Sequence, residues 1–439
     1  MLMSDTFLSA VPVHSYYQAS QHQHTQYPSL QGLLEVETCI IGGGLSGIGT
    51  ALPLAQQNRN VALIEAAQIG YGASGRNGGQ VIYGYAAEMS KIASMIGQQN
   101  AQTLWKWSCE AVNLVEQQIR EYNIDCDWQR GYAHVAIRPH HMHALTAWVK
   151  EAATNYQFHD YQIWNQTQLQ QQLASERYCG AIFDQLAGHL HPLNYTHGLA
   201  KAAASAGALL FEHSPMLNLE PWQHGYRITT PNGSIVSKNV VLAVNAFTCS
   251  LHHPLTQTLE SKILPVGTYM IATEPLGEQA TQLIRNNMAV CDTRFVLDYF
   301  RLSADNRLLF GGKVNYSGQE PAQQQLIRSM RSDMLKVFPQ LNDVRIEYTW
   351  GGRVDISMNR APHFGRLNPQ LYFLQGFSGH GMAATGLGGQ IIAEAISGDD
   401  SRLRLFETIP HRNFPGGKLL RLPSQWLGVA YYRLKDLLP

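Results

Sequence analysis

The chain carries three closely spaced glycines, Gly42, Gly44 and Gly47, directly after the apolar run 39–41. Their spacing suits the binding of a pyrophosphate. In a strand–turn–helix unit, the first such glycine permits a tight turn and the second lets backbone approach a pyrophosphate, while the third lets helix and strand pack closely. The pyrophosphate then lies at the helix N-terminus, where backbone N–H groups favour negative charge. The stretch 48–57 is the expected helix, although Pro53 removes one of its hydrogen bonds.

A second apolar strand, "NVALIEA", ends in Glu65, eighteen residues after Gly47. An acidic residue at this place can hydrogen-bond the hydroxyls of a ribose. Strand, loop, helix, strand and acid therefore follow one another in the order of a dinucleotide-binding unit. Nicotinamide and flavin dinucleotides both use this unit, so the first motif leaves the cofactor open.

A second glycine cluster, "GYGASGRNGGQ" at 70–80, follows closely on Glu65. It resembles the flavin-proximal loop of the D-amino-acid oxidase and sarcosine oxidase superfamily of FAD-dependent amine oxidoreductases. The resemblance implies glycine backbone lying flat against the cofactor, with Ser74, Arg76 and Asn77 offering polar groups to its phosphates or ring edge. The segments 238–248, 350–365 and 372–396 resemble three further parts of the same superfamily.

The last of these segments carries "SGHGM", which the resemblance places at a helix start near the flavin pyrimidine. Backbone amides at a helix N-terminus stabilise negative charge that develops on the reduced ring. Motif and resemblance together imply FAD contacts from Gly42, Gly44, Leu45, Ser46, Gly47, Glu65, Ala66, Ser74, Arg76, Asn77, Gly78, Gly79, Gln80, Met216, Ala243, Gly352, Gly379, His380, Gly381 and Met382.

The fold implied by the resemblance is α/β with two lobes, a Rossmann-like FAD-binding domain and a discontinuous, antiparallel-sheet substrate domain, as in D-amino-acid oxidase. The FAD-binding domain is expected to comprise 35–88, 176–250 and 345–410, the substrate domain 89–175 and 251–344, and the terminal extensions 1–34 and 411–439. In the substrate domain, the apolar periodicity of 101–124 predicts a long helix.

The terminal extensions narrow the resemblance further. "HSYYQAS" at 14–20, "PHRNFPGGKLLRLP" at 410–423 and "AYYRLKDLL" at 430–438 resemble flavoenzymes of the superfamily that act on γ-glutamylated diamines. This implies oxidation of a free primary amine to an aldehyde, with release of ammonia and reduction of dioxygen to hydrogen peroxide. Oxidation of a secondary amino acid such as pipecolate or sarcosine is the alternative within the superfamily. Two alternatives lie outside the superfamily. The chain could be a nicotinamide-dependent dehydrogenase or a flavin-binding protein without turnover.

The mechanism needs an uncharged amine and an oriented C–H bond beside the flavin. Candidate catalytic residues are His380, Arg76 and Lys313, the last because it lies where some related oxidases place a lysine that assists oxygen reduction. Tyr299 and Arg301 are candidates to contact the stem and the carboxylate of the substrate, since a guanidinium can bind a carboxylate through two hydrogen bonds. A structural role for His380 and an ordinary salt bridge for Arg301 remain alternatives.

The composition favours a small-molecule partner. Thirty-two basic and thirty-two acidic residues cancel, so no long-range field attracts nucleic acid. Six scattered cysteines indicate reduced thiols and a cytoplasmic location. Histidines cluster at 21–26, 139–143 and 189–192, but these clusters lack the spacing of a metal site. Neither a signal peptide nor a transmembrane segment is predicted. The oligomeric state and the electron acceptor stay open, and the amphipathic tail 423–439 is expected to dock on the body or touch a membrane surface.

One departure from the superfamily concerns flavin attachment. Several members bind flavin through a cysteine in the region that corresponds to 350–357, whereas this chain has no cysteine after Cys291. We therefore predict that the FAD is non-covalent.

Overall fold

The computed structural model describes residues 15–22, 25–251, 253–294, 296–315 and 321–415. Two sheets organise them. In chain order the strands are β1 (Gly32–Ile41), β2 (Val61–Ile64), β3 (Gln80–Val81), β4 (Gln129–Ala136), β5 (Tyr161–Asn165), β6 (Gly180–His189), β7 (Leu209–Phe211), β8 (Asn218–Trp222), β9 (Gly225–Thr229), β10 (Gly233–Leu242), β11 (Ile263–Thr273), β12 (Ala289–Asp292), β13 (Tyr299–Leu302), β14 (Leu308–Asn315), β15 (Ile346–Ser357), β16 (His363–Asn368) and β17 (Leu371–Gln375).

The helices pack around these sheets. They are α1 (Tyr16–Ala19), α2 (Leu45–Gln56), α3 (Met89–Ile96), α4 (Gln98–Glu121), α5 (Pro139–Tyr156), α6 (Gln166–Gln170), α7 (Pro192–Ser205), α8 (Gln257–Glu260), α9 (Glu278–Leu283), α10 (Gln323–Val337), α11 (Ala384–Ser397) and α12 (Ser401–Glu407), with 3₁₀ turns at Ala73–Gly75, Asn245–Ser250, Pro254–Thr256 and Pro339–Leu341. Helix α2 contains Pro53 as predicted.

The first sheet runs in the order β16-β17-β10-β1-β2-β7, with β9 joined to β10 and β8 to β9. Strands β17, β10, β1, β2 and β7 are parallel to one another, whereas β16 and β9 pair antiparallel with β17 and β10. Helix α2 packs against α7 and α11. Strand β2 is buried throughout, which explains why it reads as an unbroken apolar run rather than an alternating one.

The second sheet runs in the order β15-β11-β14-β13-β12-β4-β6-β3, with β5 on β6. Its neighbouring strands are antiparallel except for β12 and β4. The predicted α/β architecture of one mainly parallel and one mainly antiparallel sheet is therefore confirmed. Strands β6 and β15 belong to this second sheet although their ranges lie in the predicted FAD-binding segments, and the domain boundaries themselves stay a prediction.

The N-terminal extension contributes to the core through α1. Ser15 caps this helix by accepting a hydrogen bond from the Gln18 N–H, and Tyr16 and Tyr17 are buried. They form a small apolar cluster with Leu193 and Trp350. None of the helices in the described ranges is long and apolar enough to cross a membrane. The predicted amphipathic tail 423–439 lies outside the described residues.

Candidate active site

A cavity of about 2190 Å³ begins at the carboxyl ends of β1, β2 and β10 and extends to the second sheet. The crevice outside the carboxyl ends of parallel strands is where α/β folds bind nucleotides. Pockets for drug-sized ligands measure roughly 300–1,000 Å³. The cavity therefore has room for a dinucleotide together with a second molecule.

The glycine turn after β1 has the geometry that its spacing predicts. Gly42 has a φ of 116°, and a Cβ there would lie 2.5 Å from the carbonyl oxygen of Ala243. A Cβ at Gly47 would lie 2.0 Å from the carbonyl oxygen of Gly42, so only glycine lets α2 begin this close to the turn. Gly44 precedes the first residue of α2, and Leu45 donates its N–H to Ser74 Oγ at 2.9 Å. The close approach of backbone that a pyrophosphate needs at the start of α2 is thus present.

Glu65 stands at the end of β2 and lines the same part of the cavity. Its carboxylate accepts the N–H of Gly43 at 2.7 Å and that of Ala67 at 2.9 Å. Burial raises the pKa of this carboxyl, and the backbone N–H bonds oppose the shift. The residue ties the glycine turn to the end of β2, while its contact with a ribose stays a prediction.

The second glycine cluster forms a turn that its own side chains hold in shape. Asn77 donates to the carbonyl oxygens of Ala73 and Ser74 and accepts the Gly79 N–H at 2.7 Å. Arg76 donates to the Gly351 carbonyl oxygen at 3.2 Å, and the Trp350 indole N–H donates back to the Arg76 carbonyl oxygen at 3.0 Å. The cluster is therefore fixed to β15.

The closing loop lies between β17 and α11. Gly379 has a φ of 83°, and α11 begins at Ala384, so the residues 379–382 lie directly before the helix. The His380 Nε2 lies 2.9 Å from the Tyr83 carbonyl oxygen, to which it donates. Burial lowers the pKa of His380 to about 4, and the hydrogen bonds to backbone oppose this shift. The imidazole is therefore neutral at neutral pH.

Most of the predicted site residues meet in this one cavity. All predicted cofactor residues line it except Gly47, which packs α2 on the turn, and Gly79, whose Cβ would lie 2.1 Å from the Leu190 carbonyl oxygen. The candidate catalytic residues His380, Lys313 and Arg76 line it, and so does Tyr299. Their roles toward FAD and substrate stay predictions.

Arg301 requires a correction, because it does not line the cavity. Its side chain is 1% exposed, and its guanidinium donates to the carbonyl oxygens of Gly78, Leu190 and Leu302 and to the Tyr17 hydroxyl. These bonds use the donors that a substrate carboxylate would need. The prediction that Arg301 clamps a carboxylate is wrong.

Lys313 is engaged in an ion pair. Its ammonium contacts Asp333 Oδ2 on α10, and Lys336 Nζ contacts the other oxygen, Oδ1, at 2.8 Å. Burial opposes ionisation of Asp333, but the bonds from both lysines outweigh it and lower the pKa of the carboxyl. A role for Lys313 in oxygen reduction therefore has to operate with this ion pair in place.

The far end of the cavity holds residues that the sequence did not single out. They are aromatic, acidic and imidazole side chains on separate elements, namely Tyr83, Trp105, Tyr132, His134, Trp148, Glu151, Tyr161 and Asp184. No motif joins them, because they come from separate elements: Tyr132, His134, Tyr161 and Asp184 lie on paired strands of the second sheet, Trp105 lies on α4, and Trp148 and Glu151 lie on α5. In the described part of the chain, no group of three or more His, Cys, Asp or Glu side chains is placed to hold a metal ion.

The mainly parallel sheet and the glycine turn at its carboxyl edge define a dinucleotide-binding protein. The chain belongs to the family of FAD dependent oxidoreductases (DAO), whose sequence profile matches residues 37–395. FAD is thus the cofactor, and the nicotinamide and non-enzymatic alternatives fall away.

Curated relatives match almost the whole chain. It is 41% identical over 425 residues to the "Probable oxidoreductase OrdL" of Haemophilus influenzae, which covers 97% of each chain. It is 37% identical over 423 residues to gamma-glutamylputrescine oxidoreductase of Escherichia coli, covering 96% of this chain and 98% of that one. The crystal structure of glycine oxidase from Geobacillus kaustophilus has a TM-score of 0.73 at 19% identity, covering 87% of this chain and 100% of that one. The predicted fold of the D-amino-acid oxidase type is confirmed.

Proposed function

We propose that the protein catalyses the oxidative deamination of γ-glutamylputrescine at its primary amine. The substrate, water and dioxygen would give γ-glutamyl-γ-aminobutyraldehyde, ammonia and hydrogen peroxide. The observation that carries the proposal is the far end of the cavity, which is lined by aromatic and acidic side chains that are not among the predicted cofactor residues. Such an end suits a long, charged amine, and the identity with the Escherichia coli enzyme supports the same substrate.

When bound, FAD would supply the oxidising chemistry, namely acceptance of a hydride from the carbon next to the amine nitrogen. The residues around the glycine turn would hold its pyrophosphate, and the turn with Arg76 and Asn77 would orient its reactive half. The neutral His380 places no positive charge beside the amine, which must itself be uncharged to react. The aromatic end excludes water from the substrate's stem and orients the C–H bond.

Anaerobic mixing of the purified yellow protein with γ-glutamylputrescine tests this function. We expect the flavin absorbance to bleach, and to return when air is admitted with formation of hydrogen peroxide. Putrescine is the matched control, since it carries the same reacting amine without the γ-glutamyl group. Bleaching by pipecolate but not by γ-glutamylputrescine would favour the alternative, a secondary amino acid oxidase, and would remove this proposal. Bleaching without recovery in air would indicate that a molecule other than dioxygen accepts the electrons.

We also expect the FAD to be non-covalent. Among the described residues, Cys291 is the cysteine that lines the cavity, and burial raises the pKa of its thiol, so the reactive thiolate is disfavoured. After precipitation of the holoenzyme with acid, the yellow colour should remain in the supernatant. A yellow pellet, or a fluorescent band on a denaturing gel, would show a covalent link.

A further inference from the structure

Asp184 on β6 lies directly between two tyrosines of the neighbouring strands. Its register partners are Tyr132 on β4 and Tyr161 on β5. Opposed residues on adjacent strands project to the same face of a sheet, and all three of these residues line the cavity. Tyr83 lines the same cavity, and burial and then the charge of Asp184 raise the pKa of its phenol. This carboxyl group thus shares the cavity lining with three phenol side chains, two of which belong to its register partners.

The carboxyl of Asp184 is buried without a cationic partner. The residue is 3% exposed, and it accepts the N–H groups of Leu186 at 2.9 Å and Ala187 at 3.1 Å, both on Oδ1. Within the described ranges, no hydrogen-bond donor reaches Oδ2 and no basic side chain forms an ion pair with this carboxyl. Buried carboxylates are normally paired with a cation, so the cavity presents an oxygen suited to a cation from outside.

The surrounding rings favour the same kind of ligand. Aromatic faces attract cations, most strongly where water is excluded. We propose that Asp184, Tyr132 and Tyr161 form a subsite for the α-ammonium group of the substrate's γ-glutamyl end, an inference that rests on the proposed function. A carboxylate beside the reacting nitrogen would stabilise the ammonium form, which cannot give a hydride. Asp184 therefore stabilises binding of the α-ammonium end of the substrate, which stays charged during the reaction.

A ligand that cannot be oxidised tests the subsite separately from turnover. γ-Glutamylbutylamide keeps the α-ammonium group and lacks the terminal amine, and the monobutylamide of glutaric acid lacks both. By calorimetry, the holoenzyme should bind the first at least about tenfold more tightly, the effect of one charge-assisted hydrogen bond. Equal affinities, or no binding of either, would overturn the subsite. Failure of the proposed function would instead appear as flavin that γ-glutamylputrescine does not bleach.

Asp184→Asn is the decisive variant, because an asparagine Oδ1 can accept the same two backbone N–H bonds without the charge. The preference for γ-glutamylbutylamide should disappear while the FAD content and the melting temperature stay as in the wild type. Steady-state kinetics would then show which end of the substrate Asp184 contacts. KM for γ-glutamylputrescine should rise about tenfold or more, whereas KM for N-acetylputrescine, which has no α-ammonium group, should not change. Equal losses with both amines would place Asp184 at the reacting nitrogen and overturn the assignment.

The wild-type protein offers a second measurement if the variant does not fold. Burial raises the pKa of Asp184 to about 6, so the carboxylate is present above this pH and is lost as pH falls through it. Affinity for γ-glutamylbutylamide should fall over the same range, and affinity for the monobutylamide of glutaric acid, which has no ammonium group, should not. The other ionisable groups around Asp184 are the phenols of Tyr83, Tyr132 and Tyr161, the Cys109 thiol and the Asp160 carboxyl. A preference independent of pH would contradict the proposal.

Discussion

Replacement of Arg301 with methionine is expected to lower the free energy of unfolding by about 3–4 kcal/mol, since each buried acceptor left without its donor costs about 1–3 kcal/mol. The guanidinium donates to the carbonyl oxygens of Gly78 and Leu190 at 2.8 Å each and to that of Leu302 at 3.0 Å. Water cannot replace these bonds, because the side chain is almost completely buried. Methionine fills part of the volume and restores none of the donors.

The same replacement should also weaken FAD binding. Through Gly78, Arg301 holds the turn that carries Arg76 and Asn77, and through Tyr17 it connects this turn to α1. Tyr17 further packs edge-on against Trp350, with ring centroids 5.2 Å apart, and Trp350 binds the Arg76 carbonyl oxygen. Loss of the guanidinium thus loosens a turn that is fixed at both ends.

Urea unfolding of the holoenzyme and the ratio of FAD to protein measure the two effects. Arg404→Met is the matched control, because the Arg404 side chain is 71% exposed and its ion pair is worth little. A variant of Arg301 with normal stability and normal FAD content, but with a raised KM for substrate, would reinstate the carboxylate clamp. A structural role of Arg301 therefore predicts losses of stability and FAD content, whereas a carboxylate clamp predicts a raised KM with both unchanged.

Arg301 also illustrates which features of the site could not be predicted from the sequence. Tyr299 and Arg301 are two residues apart on β13, and alternation correctly puts both on the face of the strand that meets the flavin-proximal turn. A Cβ at Gly78 would touch the ring of Tyr299, and one at Gly79 would approach the guanidinium of Arg301. Which of the two remains open to the cavity depends on the path of this turn over the strand, and no local pattern encodes that path.

The dinucleotide turn was predictable because its physics is local. Gly42, Gly44 and Gly47 lie within six residues, and each has a steric reason that spacing alone reveals. The far end of the cavity is the opposite case. Tyr132, Tyr161 and Asp184 become neighbours only when β6 pairs with β4 on one side and with β5 on the other. Register between distant strands depends on the assembled sheet, so no sequence pattern predicts this cluster.

Replacement of Gly47 with alanine is expected to weaken FAD binding by about tenfold or more. The new Cβ would lie 2.0 Å from the Gly42 carbonyl oxygen, and this atom belongs to the backbone rather than to a side chain that can turn away. The turn and α2 must therefore move apart. Overpacking of this kind costs about 1–3 kcal/mol, and 1.4 kcal/mol corresponds to a factor of ten in binding if the displaced turn is the pyrophosphate site.

Titration of the apoprotein with FAD measures this effect, with Gly386→Ala as the control. Gly386 lies on α11, which packs against α2, but its added Cβ would meet only Leu114 Cδ2, at 3.9 Å. Alanine favours a helix over glycine by about 1 kcal/mol, so this variant should be as stable as the wild type or more so, with unchanged FAD affinity. Normal FAD affinity in Gly47→Ala would mean that the turn does not hold the pyrophosphate. Equal losses in both variants would trace the effect to the packing of the two helices instead.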